Sequence, residues 1–216
     1  MSAVVMLAIG LAVGSHPALA QTVTKEMKPA PPTDQTPPLD LVRSSVGRVL
    51  TMVQSQPVGA AETGKWRAEI RRVAEELFDL DEMARRMLPQ HWQERTPQEH
   101  QEFIRLFTDL LDRAYLRALG SYPLATITFQ GESVDGPYAQ VRSRFVTERG
   151  GELPVEYRLL KSQAGWGVYD LVVDGVSLIS SYRSQFSSLL RRSSFAQLLE
   201  RLRDRNTYVA SEVQMP

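Results

Sequence analysis

The apolar residues of this chain change their spacing twice, and those changes restrict its fold more than any other feature. Up to Leu119 they recur near the helical period of 3.6. After Tyr122-Pro123 they alternate with polar residues, and after Asp174-Gly175 the helical spacing returns. Leu39, Val42, Val46, Val49, Leu50 and Val53 mark a first helix. After a break from Pro57 to Gly64, a second runs from Lys65 to Phe78 with Trp66, Ile70, Val73 and Leu77 on its apolar stripe. Asp79 is placed to cap a short third helix that stops near Leu88-Pro89. Thr96-Pro97-Gln98-Glu99 then spells a helix start: Thr96 accepts from open N–H groups, Pro97 strands none, and Glu99 reaches back to the cap. The helix that follows carries Phe103, Leu106, Phe107, Leu110 and Leu111 on a broad apolar face and ends at Gly120.

The alternating part predicts four strands, at Thr126–Gln130, Tyr138–Thr147, around Val155 to Leu159, and at Trp166–Val173. Asp135-Gly136-Pro137, Gly150-Gly151 and Ala164-Gly165 separate them. Ala139, Val141, Ser143 and Phe145 share one face of the second strand, and Gln140, Arg142 and Arg144 share the other. Such alternation suits an antiparallel meander with one dry face. Two amphipathic segments follow, Val176 to Leu190 and Ser194 to about Arg203. Helices set apart in sequence from a four-stranded meander predict an α+β domain, with N- and C-terminal helices packed on the sheet. Its expected extent is residues 39–205, with 206–216 a flexible tail.

Residues 1–20 contain no Asp, Glu, Lys or Arg, and the run from Val4 to Val13 is almost wholly apolar. Ala18 and Ala20 occupy the small-residue positions of a signal-peptidase site, so the reading is a cleavable export signal, although its start lacks the usual Lys or Arg. Residues 21–38 hold five prolines and are expected to form a disordered linker.

The chemistry that is missing narrows the function. Twenty-five Lys plus Arg balance 25 Asp plus Glu, which argues against a general nucleic-acid binder. There is no cysteine, hence no thiol chemistry and no Cys-ligated metal. After the signal, His91 and His100 are the only histidines; their spacing is not that of a ligand pair, and they read as surface residues. No serine sits in a nucleophile elbow. Asp79, Asp81 and Glu82 fall at a predicted helix start, where carboxylates suit the dipole. These residues assemble no catalytic set, so the chain reads as a binding protein and not as an enzyme.

Residues Val173–Phe186 read Val-Asp-Gly-Val-Ser-Leu-Ile-Ser-Ser-Tyr-Arg-Ser-Gln-Phe. This string closely resembles the C-terminal signature of the MlaC/Ttg2D family, named historically for toluene tolerance. Trp166-Gly167-Val168-Tyr169-Asp170, the Arg142–Arg144 strand, Phe78-Asp79 with Met83-Ala84-Arg85 and Trp92, and the Thr96 helix start extend the likeness over roughly residues 39–203. The resemblance implies a periplasmic protein enclosing phospholipid acyl chains in a cavity, with phospholipid as cargo and no cofactor. The implied partners are a lipoprotein–porin complex at the outer membrane and the lipid-binding ring of an ABC transporter at the inner membrane. A related branch is associated with hopanoids, so a polycyclic cargo is an alternative; so is an interaction module that carries no lipid.

With that resemblance, the dry sheet face and the helices opposite it become a candidate lining. From the sheet these are Val141, Phe145, Val155, Tyr157 and Leu159. From the third and fourth helices they are Met83, Met87, Phe103, Phe107 and Leu111, and Phe186 follows the sheet. Unbranched Met suits a deformable wall. Periodicity alone does not separate these positions from an ordinary core. Arg183 is placed to pair with Asp170 or Asp174, or to lie near a lipid phosphate; Arg142 and Arg144 face water or a docking protein.

Overall fold

The computed structural model describes residues 36–54, 60–119, 124–147 and 151–208. Four helices come first: α1 (Pro38–Gln54), α2 (Ala60–Leu77), α3 (Leu80–Met87) and α4 (Pro97–Leu119). A 3₁₀ turn at Trp92–Glu94 joins the last two. The expected starts hold at α3 and α4. Asp79 accepts from the Glu82 amide at 2.9 Å. The Glu99 amide donates to Thr96 Oγ at 3.2 Å while Thr96 N–H donates to Glu99 at 2.8 Å, a reciprocal capping box. α2 starts at Ala60, earlier than expected, and so runs through Gly64, where a glycine costs about 1 kcal/mol in helix propensity. Trp66 ties it to α1 by donating Nε1–H to the Met52 carbonyl at 2.7 Å.

The sheet is an antiparallel meander in the order β1-β2-β3-β4-β5, with β1 (Leu124–Asp135), β2 (Tyr138–Thr147), β3 (Glu152–Ser162), β4 (Gly165–Val173) and β5 (Val176–Ser177). It has five strands where four were expected. β5 is two residues long and too short to show a period. It exists because Asp174 (φ 49°) and Gly175 (φ 79°) both take the left-handed conformation that a tight hairpin turn requires. β1 is longer than expected and carries a bulge between Phe129 and Gly131, which has φ 119°. Beyond that bulge Glu132 accepts from the Leu39 amide at 2.6 Å, fixing the start of α1 against the sheet edge.

α5 (Leu178–Leu190) and α6 (Phe195–Tyr208) complete the chain. Ser177 caps α5, and Ser194 with Gln197 forms a second reciprocal box at α6. α6 continues through Tyr208, beyond the point where the tail was expected to begin. The signal segment, residues 21–35 of the linker, the Gly150 position and residues 209–216 lie outside the described residues.

Apolar side chains gather in two clusters. One is helical and joins α3, α4, α5 and α6 through residues such as Met87, Phe103, Phe107, Ile179 and Leu198. The other is built on the dry sheet face, where Leu41 and Val42 of α1 and Leu77 of α2 cover Val141, Tyr157 and Leu159. The dry face of the sheet is thus covered by the first two helices, while α3 and α5 also reach the sheet along β4; α4, which the expected lining placed opposite the sheet, packs in the helical cluster instead. Phe78 packs against both clusters. It also bridges to Val168, and Asp79 N–H donates to the Val168 carbonyl at 2.9 Å. That crossing needs Gly167, where a Cβ would stand 2.9 Å from Asp79 Cβ.

Candidate functional site

The eleven candidate lining residues divide between the two clusters. Met83, Met87, Phe103, Phe107 and Phe186 belong to the helical cluster, with Leu111 against its margin. Phe103 and Phe107, one turn apart on α4, stack in parallel at 6.1 Å, and Phe186 meets Phe103 edge-on at 5.7 Å. Tyr182 stands edge-on to Phe107 at 5.1 Å. Val141, Val155, Tyr157 and Leu159 belong to the sheet cluster, with Phe145 packed beside them.

A residue that bounds an open cavity presents surface to it. Met87, Phe103, Val141 and Leu159 are 0% exposed, so protein atoms enclose them on every side. Leu111 and Phe145 are only half-buried. Phe145 pairs with Leu153, and Val155 with Val173, which pairs in turn with Val176. Of these, Leu153, Val173 and Val176 are half-buried too, while Leu159 and Val168 farther along the sheet are sealed. Reachable apolar surface therefore collects at the end of the sheet marked by Phe145, Leu153 and Val173. Sequence reading missed Leu153 and Val173 because each sits at a strand end, beside Pro154 or the Asp174-Gly175 turn, where alternation breaks off. A separate cleft of about 60 Å³ between α1 and α2 is lined by Asp40, Ser45, Arg48 and Glu76. It contains none of the candidate lining residues.

Polar groups within this frame have structural partners. Asp170 ties β4 to α5: it accepts from Ser177 Oγ at 2.7 Å, from the buried Ile179 amide at 3.1 Å, and from Arg158 at 3.4 Å. The expected pairing of Arg183 with Asp170 is not formed; Arg183 is exposed, because its helix position turns it away from β4. Arg142 is exposed, and Arg144 pairs with Glu152 at 2.7 Å. Both histidines are half-buried, contrary to expectation: His100 stacks on Trp92 at 3.8 Å with Nε2 2.8 Å from the Trp92 carbonyl.

Tyr157, on β3, is a buried titratable group on the dry face of the sheet. Burial pushes its phenol up to about 12, against a smaller opposing contribution from its hydrogen bond with Ser143. Because the folded value lies above the unfolded one, the stability this phenol contributes is present below pH 10 and is lost as pH rises through about 12. A tyrosinate absorbance titration should show one of the seven tyrosines ionising last, near pH 12, and Tyr157→Phe should remove that step. An unchanged curve in the variant would remove Tyr157 from this assignment.

A profile described as MlaC protein matches residues 43–204, which takes in the helical cluster, the sheet cluster apart from its α1 residues Leu41 and Val42, the whole sheet and every candidate lining residue. The chain belongs to the MlaC family. Among curated relatives, toluene tolerance protein ttg2D of Pseudomonas putida is 25% identical over 126 residues, 57% of this chain. That match spans 59% of the Pseudomonas protein's length. The intermembrane phospholipid transport system binding protein MlaC of Haemophilus influenzae is 18% identical over 175 residues, 78% of this chain and 81% of its own length. Among solved structures, a phospholipid-binding protein of Ralstonia solanacearum in complex with a phospholipid has a TM-score of 0.70 at 24% identity, covering 82% of this chain and all of that one. At that identity the structural likeness speaks for the fold. For this MlaC-family chain, no group of three His, Cys, Asp or Glu among the described residues is placed to hold a metal ion. No helix among them is long and apolar enough to cross a membrane.

Proposed function

We propose that this protein is a periplasmic carrier that shelters phospholipid acyl chains between its helical and sheet clusters. The observation that carries this reading is the family match over residues 43–204, whose span includes every candidate lining residue. The relatives named for phospholipid binding and transport support the cargo. The eleven candidate residues are the proposed lining, joined by Leu153 and Val173 at the reachable end of the sheet. Residues 1–20 act as the export signal and the Pro-rich segment as a tether for one domain. Delivery runs between an outer-membrane lipoprotein–porin complex and the lipid-binding ring of an inner-membrane ABC transporter.

The energetics need no catalyst. Two chains of fifteen carbons hold about 30 CH₂ groups, worth about 24 kcal/mol gross when removed from water. The competing shelter is a bilayer, where the same chains are already dry, so a protein interior of similar dryness makes the transfer nearly balanced. Direction then comes from the partners at each end.

Gently purified protein, extracted into organic solvent and analysed by mass spectrometry, should release close to one phospholipid per chain. A repeatedly empty extract, together with no uptake from phospholipid vesicles, would defeat the proposal. A polycyclic lipid in the extract would assign the cargo to the hopanoid class. A second reading, an interaction module with a solid core, draws on the full enclosure of Met87, Phe103, Val141 and Leu159, and the empty extract is its expected result.

A further inference from the structure

An ion pair closes the seam between α2, which covers the sheet cluster, and α4, which carries part of the helical one. Arg71 of α2 donates Nη2–H to Asp109 of α4 at 2.7 Å and pairs with Asp112 one turn farther along the same helix. α2 packs on α1 and sends Leu77 into the sheet cluster, whereas α4 sends Phe103, Leu106, Phe107 and Leu110 into the helical one. Among the described residues, Phe78 alone packs against both clusters. It lies at the foot of α2, seven residues from Arg71, or about 10 Å along a helix. The molecule therefore has a pivot at Phe78 and an ionic contact two turns up the seam. Asp109 also meets Arg105 at 3.3 Å, so removing Arg71 leaves that carboxylate with a partner.

We propose that acyl chains enter between α2 and α4 and that Arg71 is the clasp that holds this portal shut. The inference rests on the carrier reading above. Its physical merit is that the contact is weak enough to reverse. The side chains of Arg71, Asp109 and Asp112 are 36%, 17% and 20% exposed, so water and salt reach them. Burial works against the charge on Arg71, yet its two carboxylates together outweigh that cost. For Asp112 the balance is reversed: burial raises its carboxyl above the ordinary range despite Arg71. A contact whose charges burial opposes on both sides suits a closure that opens when lipid is offered, whereas an apolar seam would open only at the cost of wetting its whole face.

The test follows loading of the mature protein from phosphatidylethanolamine–phosphatidylglycerol vesicles that contain a phospholipid with a fluorescent acyl chain. Arg71→Gln should load about fivefold faster at low salt, the order expected for loss of a partly exposed ion pair. Lipid bound at equilibrium should stay within about twofold of the parent, since the walls are unchanged. The parent should speed up as salt is added, and Arg71→Gln should not. Exchanging the charges, Arg71→Asp with Asp109→Arg, should slow loading again. Parental rates in a folded Arg71→Gln, or a double variant as fast as the single one, would overturn the clasp while leaving the carrier intact. If Arg71→Gln does not fold, salt-independent loading by the parent would overturn it equally. A parent that never loads would instead defeat the carrier reading on which the clasp depends.

Discussion

Phe103→Ala is expected to cost about 3–5 kcal/mol of stability, the range for truncating a fully buried aromatic ring. Phe103 is 0% exposed and meets four rings: Trp92 and Phe195 at 6.2 Å, Phe107 at 6.1 Å and Phe186 at 5.7 Å. Those contacts come from α4, α5, α6 and the 3₁₀ turn, so the truncation loosens every wall of the helical cluster together. Against a total of about 5–15 kcal/mol for a domain, that loss is a large fraction. Urea unfolding should show a much lower midpoint with an unchanged slope. The same substitution at half-buried Phe145 should cost less, because part of that ring already meets solvent. The comparison also bears on function. A loss at Phe103 below about 1 kcal/mol would mean that its ring faces a void rather than packed protein.

Asp170→Ala is the second large effect, at about 3 kcal/mol. The carboxylate accepts from the Ile179 amide inside the protein and from Ser177 Oγ at the helix cap, so its removal leaves a buried N–H without a partner. Arg158 is not stranded, since it also meets Glu156 at 2.7 Å, and the cost therefore falls short of that of a broken buried ion pair. Asp170→Asn keeps an acceptor and should lose roughly half as much. Hydrogen exchange offers a local readout: the Ile179 amide should lose protection well before the amides of β3. An alanine variant within about 0.5 kcal/mol of the parent would show that Asp170 does not hold β4 to α5.

These two residues also mark how far the sequence could be read. The ring at Phe103 was legible as part of an apolar face because its neighbours recur at helical spacing. The caps at Asp79 and Thr96 were legible because each bond spans three residues, a distance that spacing records directly. The face shared by Ala139, Val141 and Ser143 followed from alternation and is buried as expected. Asp170 was noticed only within a family string, and its true partners, Ser177 and Ile179, were hidden by the unrecognised two-residue β5. Arg183 was considered as a partner for it or for Asp174, since charge and proximity in sequence do not reveal which way a helix turns.

By itself, then, the order of residues determined the succession of helices and strands, the dry face of the sheet, the family and the absence of a catalytic set. Only the tertiary structure decided that α1 and α2, and not α4, cover the dry face of the sheet, that the candidate residues split into two clusters, and that Arg71 reaches across 38 residues to Asp109. The reason is physical. Hydrophobic attraction has no direction, so an apolar stripe declares that it will be covered but not by what. The covering partner is chosen by packing among all elements at once, and the ionic contact at their seam exists only after that choice has been made.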